Sequence, residues 1–201
     1  MQSNPTIPWR RFWCRLGSAI DCGQDGRGFL SDPESEFGSH QNPNLRPLSS
    51  LVPATGPLIL CGEPGIGKTS ELAQLHRELN ADQSSNPSIL RLNARQHVGD
   101  MAELREHTVK SDRWRQWKQG SHVLTFMLDA VDEGRVRIPA LVSQIGGMLE
   151  NEPIERLRLI LTCRSAEWPH EMGRQLLALW NLADAEHKPL YELCPLRRID
   201  V

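Results

Sequence analysis

No run in this 201-residue chain approaches the roughly 20 consecutive apolar residues that cross a bilayer, which argues against a protein held in a membrane by helices. The N-terminal stretch MQSNPTIPWRRFWCRLGSAID lacks an apolar h-region, so secretion by a signal peptide is not expected. Cysteine is sparse and odd in number: Cys14, Cys22, Cys61, Cys163 and Cys194 are scattered, with no C-x-x-C spacing. That excludes a disulfide framework and a zinc ribbon, and the expectation is five reduced thiols in a cytoplasmic protein. Charge of one sign is also missing. With 23 Lys+Arg against 25 Asp+Glu the net charge is −2, which does not suit a chain that wraps nucleic acid mainly by charge. The seven His are dispersed, and His170-Glu171 opens like a zinc-protease motif but has Arg174 where the second His belongs. There is no internal repeat and no low-complexity tract. The length suits one compact domain, or one domain with an arm.

Composition shifts near residue 57. Residues 21–57 hold five Gly, five Pro and five Ser, a mixture that supports little regular structure. Ahead of them Trp9, Phe12, Trp13 and Leu16 follow i, i+3, i+4, i+7 spacing and predict a short amphipathic helix packed on the rest of the protein. Residues 1–57 therefore read as an irregular N-terminal arm, and 58–201 as the core.

In the core, short apolar runs alternate with helical patterns. PLILC (57–61), SILRLN (88–93, after an SSNP turn), HVLTFMLD (122–129), LRLILTC (157–163) and PLYELC (189–194) read as strands. Helices are expected through SELAQLHRELN (70–80) and from Asp100, with Glu103 as a capping box, through MAELREHTVK and beyond. Two more fall in VRIPALVSQIGGMLEN (136–151), weakened by Gly146-Gly147, and PHEMGRQLLALWN (169–181), with Pro169 suited to the first turn. Continuous apolar strands alternating with helices give an α/β fold with a largely parallel five-stranded sheet covered on both faces.

Gly62-Glu63-Pro64-Gly65-Ile66-Gly67-Lys68-Thr69 matches G-x-x-x-x-G-K-[ST] directly after one expected strand and before a helix. In this P-loop the glycines let backbone N–H groups close around phosphate oxygens. Lys68 can reach the β- and γ-phosphates, Thr69 can ligate Mg²⁺, and the helix directs its positive end at the same anion. Hydrolysis needs carboxylates as well. The strand ending in Asp129 supplies one at the carboxyl edge of the sheet, where ligands bind in open α/β sheets, and Asp132 and Glu133 follow three and four residues on. Asp129 is the candidate metal contact. Asp132 and Glu133 are candidates to polarise water. Arg164, after LILTC, is placed to sense the γ-phosphate, or else is a surface Arg paired with Glu167 or Glu171.

Trp114 and Trp117, interleaved with Arg113, Arg115 and Lys118, fit a base-stacking platform or two buried anchors of an amphipathic helix, and packing is the favoured reading. Direct nucleic-acid binding is accordingly not expected. Cys163 reads as a small buried residue.

The D-A-V-D-E spacing at 129–133 resembles the NACHT type of STAND-class P-loop NTPases, and Leu159-Ile160-Leu161-Thr162-Cys163-Arg164-Ser165-Ala166-Glu167-Trp168 looks like that family's fourth strand with its sensor Arg. Gly28-Phe29-Leu30-Ser31-Asp32-Pro33 and Tyr191-Glu192-Leu193-Cys194-Pro195-Leu196 resemble bacterial AVAST-type antiviral members. The resemblance implies an ATP-binding signalling switch with slow hydrolysis. By it, Lys68 and Thr69 bind phosphate and Mg²⁺, Asp129 completes the metal site, Asp132 or Glu133 positions water, and Arg164 senses the γ-phosphate. Family members continue far past the fifth strand, so 58–201 reads as an NTPase part cut short at its C-terminal end, a homo-oligomer or the partner of a full-length relative. The rival readings are a P-loop kinase or AAA+-like ATPase, and a non-catalytic fragment that only pairs.

Overall fold

The structure, a computed structural model, describes residues 9–22, 28–81, 88–182 and 189–201. In chain order it comprises β1 (Trp13–Arg15), α1 (Glu36–Gln41), α2 (Leu48–Leu51), β2 (Gly56–Cys61), α3 (Lys68–Ala81), β3 (Ser88–Asn93) and α4 (Ala94–His97). It continues with α5 (Met101–His107), α6 (Asp112–Gln119), β4 (Leu124–Asp129), α7 (Ile138–Leu149), β5 (Leu157–Thr162), α8 (His170–Leu179) and β6 (Leu190–Leu193). Among the described residues, six strands form one sheet in the order β1-β6-β2-β5-β4-β3. From β6 to β3 every pairing is parallel, and only β1 runs antiparallel to its neighbour. No helix of the described residues is long and apolar enough to cross a membrane.

The apolar runs explain the layering. Side chains alternate across a strand, so a strand buried on both faces must be apolar at every position. All six residues of β2 and of β4 are buried. Ile59 and Cys61 enter the larger core with Phe126, Leu128, Leu159 and Leu161, under α5 to α8. Leu58 and Leu60 face the other way and pack with Leu72 and Leu75 of α3. Because β2, β4 and β5 are parallel and nearly level, Cys61, Asp129 and Thr162 finish at the same edge of the sheet. This edge carries the chemistry.

The α/β class and the largely parallel sheet are as expected, with one strand more. The residues read as an amphipathic helix instead hold β1, which pairs Trp13 with Leu193 and also exchanges both backbone hydrogen bonds with Arg46. Trp13 enters the core beside α3 while Phe12 and Cys14 turn to a separate cluster with Leu30, Leu45 and Cys194. Apolar residues are needed on both faces, and over so short a segment that imitates helical spacing. The described part of 21–57 is also less irregular than its composition implies. Ser35 caps α1 by accepting the Gly38 N–H at 3.0 Å, and α2 follows. Buried Arg197 then ties this arm to the C-terminal segment. It bonds Asp32, Glu34 and Asp200 at 2.7–3.0 Å and lies 5.5 Å over the Phe12 ring. Its pKa is raised, chiefly by the hydrogen bonds to Asp200.

Two helix expectations change. The helix from Asp100 stops at His107, and Ser111 starts a separate α6 by accepting the Trp114 N–H. Pro169 is the N-cap of α8 and does not enter its first turn. In contrast, α7 runs through Gly146-Gly147, because Ile138, Leu141, Val142, Ile145, Met148 and Leu149 all bury on it. Trp114 and Trp117 have no exposed surface, stack edge-to-face at 5.0 Å, and are unavailable to a base. The SSNP turn lies outside the described residues.

Candidate functional site

Between β2 and α3 the loop turns through Gly65 at φ +74° and Gly67 at φ +111°, left-handed values that strain any residue with a side chain. α3 begins at Lys68, so its unpaired N–H groups face the space the loop encloses. Lys68 Nζ folds back and donates to Gly62 O at 2.6 Å and Glu63 O at 3.0 Å. Glu63 and Pro64 are exposed, while Ile66 packs on the core beside α3. The arm reaches the same loop. A Cβ added at Gly67 would lie 3.6 Å from Arg11 Nη1, and Arg11 is held by a bond from Nη2 to Cys194 O at 2.8 Å.

Asp129 ends β4 with 1% of its side chain exposed. A buried carboxylate needs partners, and Asp129 has three. Oδ1 accepts the Thr162 hydroxyl at 2.5 Å and the Thr69 hydroxyl at 3.3 Å, and Oδ2 lies 3.3 Å from Arg91 Nη2. Thr162 also accepts the Ala130 N–H at 2.7 Å. Ala130 is left-handed (φ 55°, ψ 52°), a conformation that costs a residue with a Cβ roughly 1–2 kcal/mol, and Val131 then buries into the core. This turn is the physical content of the D-A-V-D-E spacing. It swings Asp132 and Glu133 back towards the end of β5.

There they meet Arg164. Its Nε lies 2.8 Å from Asp132 Oδ2 as an ion contact without hydrogen-bond alignment, and its backbone N–H donates to Asp132 Oδ1 at 3.1 Å. Arg164 Nη2 stands 3.6 Å from Glu133, which is also 3.9 Å from Arg95. The alternative pairing of Arg164 with Glu167 or Glu171 is not the one observed. The two carboxylates differ in access: the Asp132 side chain is 4% exposed and that of Glu133 37%. Cys61 and Cys163 lie beneath the site without exposure. Burial pushes the Cys61 thiol up to about 12, and burial followed by the charge of Asp132 pushes Cys163 higher still, so neither is a ready nucleophile.

Pro64, Gly65, Gly67, Lys68, Thr69, Asp129, Asp132, Glu133 and Arg164 thus line one cavity of about 210 Å³. The donor set beside Thr69 and Asp129 is all oxygen, and the 3.3 Å between Thr69 Oγ1 and Asp129 Oδ1 suits two groups facing one small hard cation. Mg²⁺ fits this oxygen pair better than zinc, which takes His and Cys ligands. As no group of three His, Cys, Asp or Glu able to hold a metal occurs among the described residues, phosphate and water would supply the remaining ligands.

The sequence alone does not single out Thr162 or Arg91. Their signal is slight: a lone hydroxyl closing LRLILT, and a lone cation inside SILRLN. Thr162→Val keeps the β-branched shape of the strand but removes a donor to a buried carboxylate and an acceptor for Ala130. It is expected to destabilise by about 2–3 kcal/mol in urea unfolding.

A strand, glycine loop and helix at the carboxyl edge of a largely parallel α/β sheet, facing an acidic strand end, make this a P-loop NTPase fold. No family model matches the chain, and neither does any curated protein. Among solved structures it is similar to Cdc6p from Pyrobaculum aerophilum, with a TM-score of 0.42 and 15% identity over 64% of this chain and 37% of that one. It is also similar to the Drosophila ORC bound to AT-rich DNA and Cdc6, with a TM-score of 0.43 and 13% identity over 67% of this chain and 49% of that one. The chain thus spans half or less of either neighbour.

Proposed function

We propose that the protein is a Mg²⁺-dependent ATP-binding switch of the STAND class, NACHT type, with slow hydrolysis, from a bacterial antiviral or signalling system. The observation that carries this reading is the convergence of Lys68, Thr69, Asp129, Asp132, Glu133 and Arg164 on one cavity. Lys68 and the loop N–H groups hold the β- and γ-phosphates. Thr69 and Asp129 hold Mg²⁺, which when bound offsets phosphate charge. Of the two acidic residues, Asp132 is buried against Arg164 and acts as its anchor, leaving the more open Glu133 to orient water. Arg164 answers to the γ-phosphate. At rest the carboxylate that serves water faces Arg164 at 3.6 Å and Arg95 at 3.9 Å, and entering phosphate competes for the same arginines. As a member of that class the protein acts through a homo-oligomer or beside a full-length relative.

Purified protein is expected to bind ATP with Mg²⁺ and release phosphate slowly. Glu133→Gln should retain binding but lose residual phosphate release by about a hundredfold or more, in the range of a positioned base. Steady rapid turnover would favour a motor ATPase, and no nucleotide binding at all would favour a pairing fragment.

A further inference from the structure

Arg91 is the only charged residue in the strand SILRLN, and it sits where the metal site of the proposed switch is built. From β3 its Nη2 reaches Asp129 Oδ2 at 3.3 Å and the Thr69 carbonyl at 3.5 Å, linking β3, α3 and β4 at one point. Both oxygens of Asp129 are then in use, Oδ1 by two hydroxyls and Oδ2 by the guanidinium. The partners differ in freedom. Asp129 is 1% exposed and fixed at its strand end, whereas Arg91 is 27% exposed and has a long stem that can swing to solvent.

Resting on the reading that Thr69 and Asp129 hold Mg²⁺, we infer that Arg91 is a built-in counter-ion that occupies Asp129 when no metal is present and weakens the metal when it arrives. A carboxylate this buried is stabilised by a cation beside it. Without Mg²⁺ the guanidinium is that cation, while the Thr69 and Thr162 hydroxyls hold the other oxygen in place. Mg²⁺ has to displace the guanidinium from this one carboxylate, because two cations that close repel in a medium of low effective dielectric, and that competition raises the metal concentration needed. Arg91 is therefore a positioning residue acting through Asp129, and its release on metal loading frees β3 from the first turn of α3.

The test is binding of a fluorescent ATP analogue to the full chain, in EDTA and across a Mg²⁺ titration, for wild type, Arg91→Gln and Arg91→Lys. Arg91→Gln retains hydrogen-bonding capacity without charge, and should reach half-saturation at about five- to tenfold lower Mg²⁺ than wild type. Arg91→Lys keeps the charge and should stay within about twofold. In EDTA all three should bind the analogue alike. An unchanged or higher Mg²⁺ requirement in Arg91→Gln overturns the inference, as does weaker binding of Arg91→Gln in EDTA, which would make Arg91 a phosphate contact. Wild type without Mg²⁺-dependent nucleotide binding defeats the underlying switch reading instead. Folding of each variant is checked by its thermal melt. Independently of any charge-deleting variant, the Arg91 Nε resonance of wild type, assigned by its loss in Arg91→Lys, should move when Mg²⁺ joins the EDTA-nucleotide complex. A stationary signal counts against release.

Discussion

Lys68→Ala should weaken ATP binding by at least about a hundredfold while the protein melts near its wild-type temperature; tenfold corresponds to about 1.4 kcal/mol, so the loss is near 3 kcal/mol. The geometry separates the two readouts. In the structure Lys68 Nζ bonds two neutral carbonyls, Gly62 O and Glu63 O, at a half-buried site. Truncating the side chain removes the ammonium together with its demand for partners, and water takes its place on the two carbonyls, so the net cost to folding is small. When phosphate enters, the same ammonium exchanges neutral carbonyls for anionic oxygens and so gains an ion pair as well as a hydrogen bond. Truncation thus removes little from the fold and much from the complex. Equilibrium titration with labelled ATP in Mg²⁺, beside a thermal melt, reads both. Equal binding by wild type and variant would sink the ATP reading, and a collapsed melt would show that the loop needs Lys68 for its shape.

What could be read from the sequence follows from how local each cause is. The P-loop is eight contiguous residues whose chemistry is fixed by type and order, and β2, β4 and β5 announce themselves as apolar runs because both their faces are covered. The Asp129–Arg164 constellation was within reach because the D-A-V-D-E spacing encodes a turn, the left-handed Ala130 and buried Val131, that returns the acidic pair to the sheet edge. Which acidic residue is buried was not legible, since it depends on Arg164 arriving from another strand. Thr162 and Arg91 escaped for the same reason. Their roles exist only through the lateral register of β3, β4 and β5, and nothing adjacent to them in the chain signals it. β1 was misread because three residues cannot display a period, and a strand covered on both faces offers apolar residues wherever a helix would want them.

Trp13→Ala is expected to destabilise the protein by about 3–5 kcal/mol, the range for a large aromatic deleted from a packed core. For a chain of this size that corresponds to a melting-temperature loss of very roughly 6–20 °C. Trp13 has no exposed surface and packs among Leu48, Leu58, Leu60, Leu72 and Leu193, between α3 and the strands β2 and β6. It also joins the Arg46 backbone through two hydrogen bonds, at 2.8 and 3.0 Å. Trp9, 45% exposed four residues earlier, should change stability by less than about 0.5 kcal/mol when truncated, as surface positions do. The contrast is diagnostic. A docked amphipathic helix would bury Trp9 and Trp13 on one face and make the two variants comparably harmful. A separable arm would leave the melt untouched by either. Only a strand integral to the sheet places the whole loss at Trp13. Because Arg11, two residues before it, reaches the loop at Gly67, Trp13→Ala should also weaken nucleotide binding below its melting range, whereas Trp9→Ala should not.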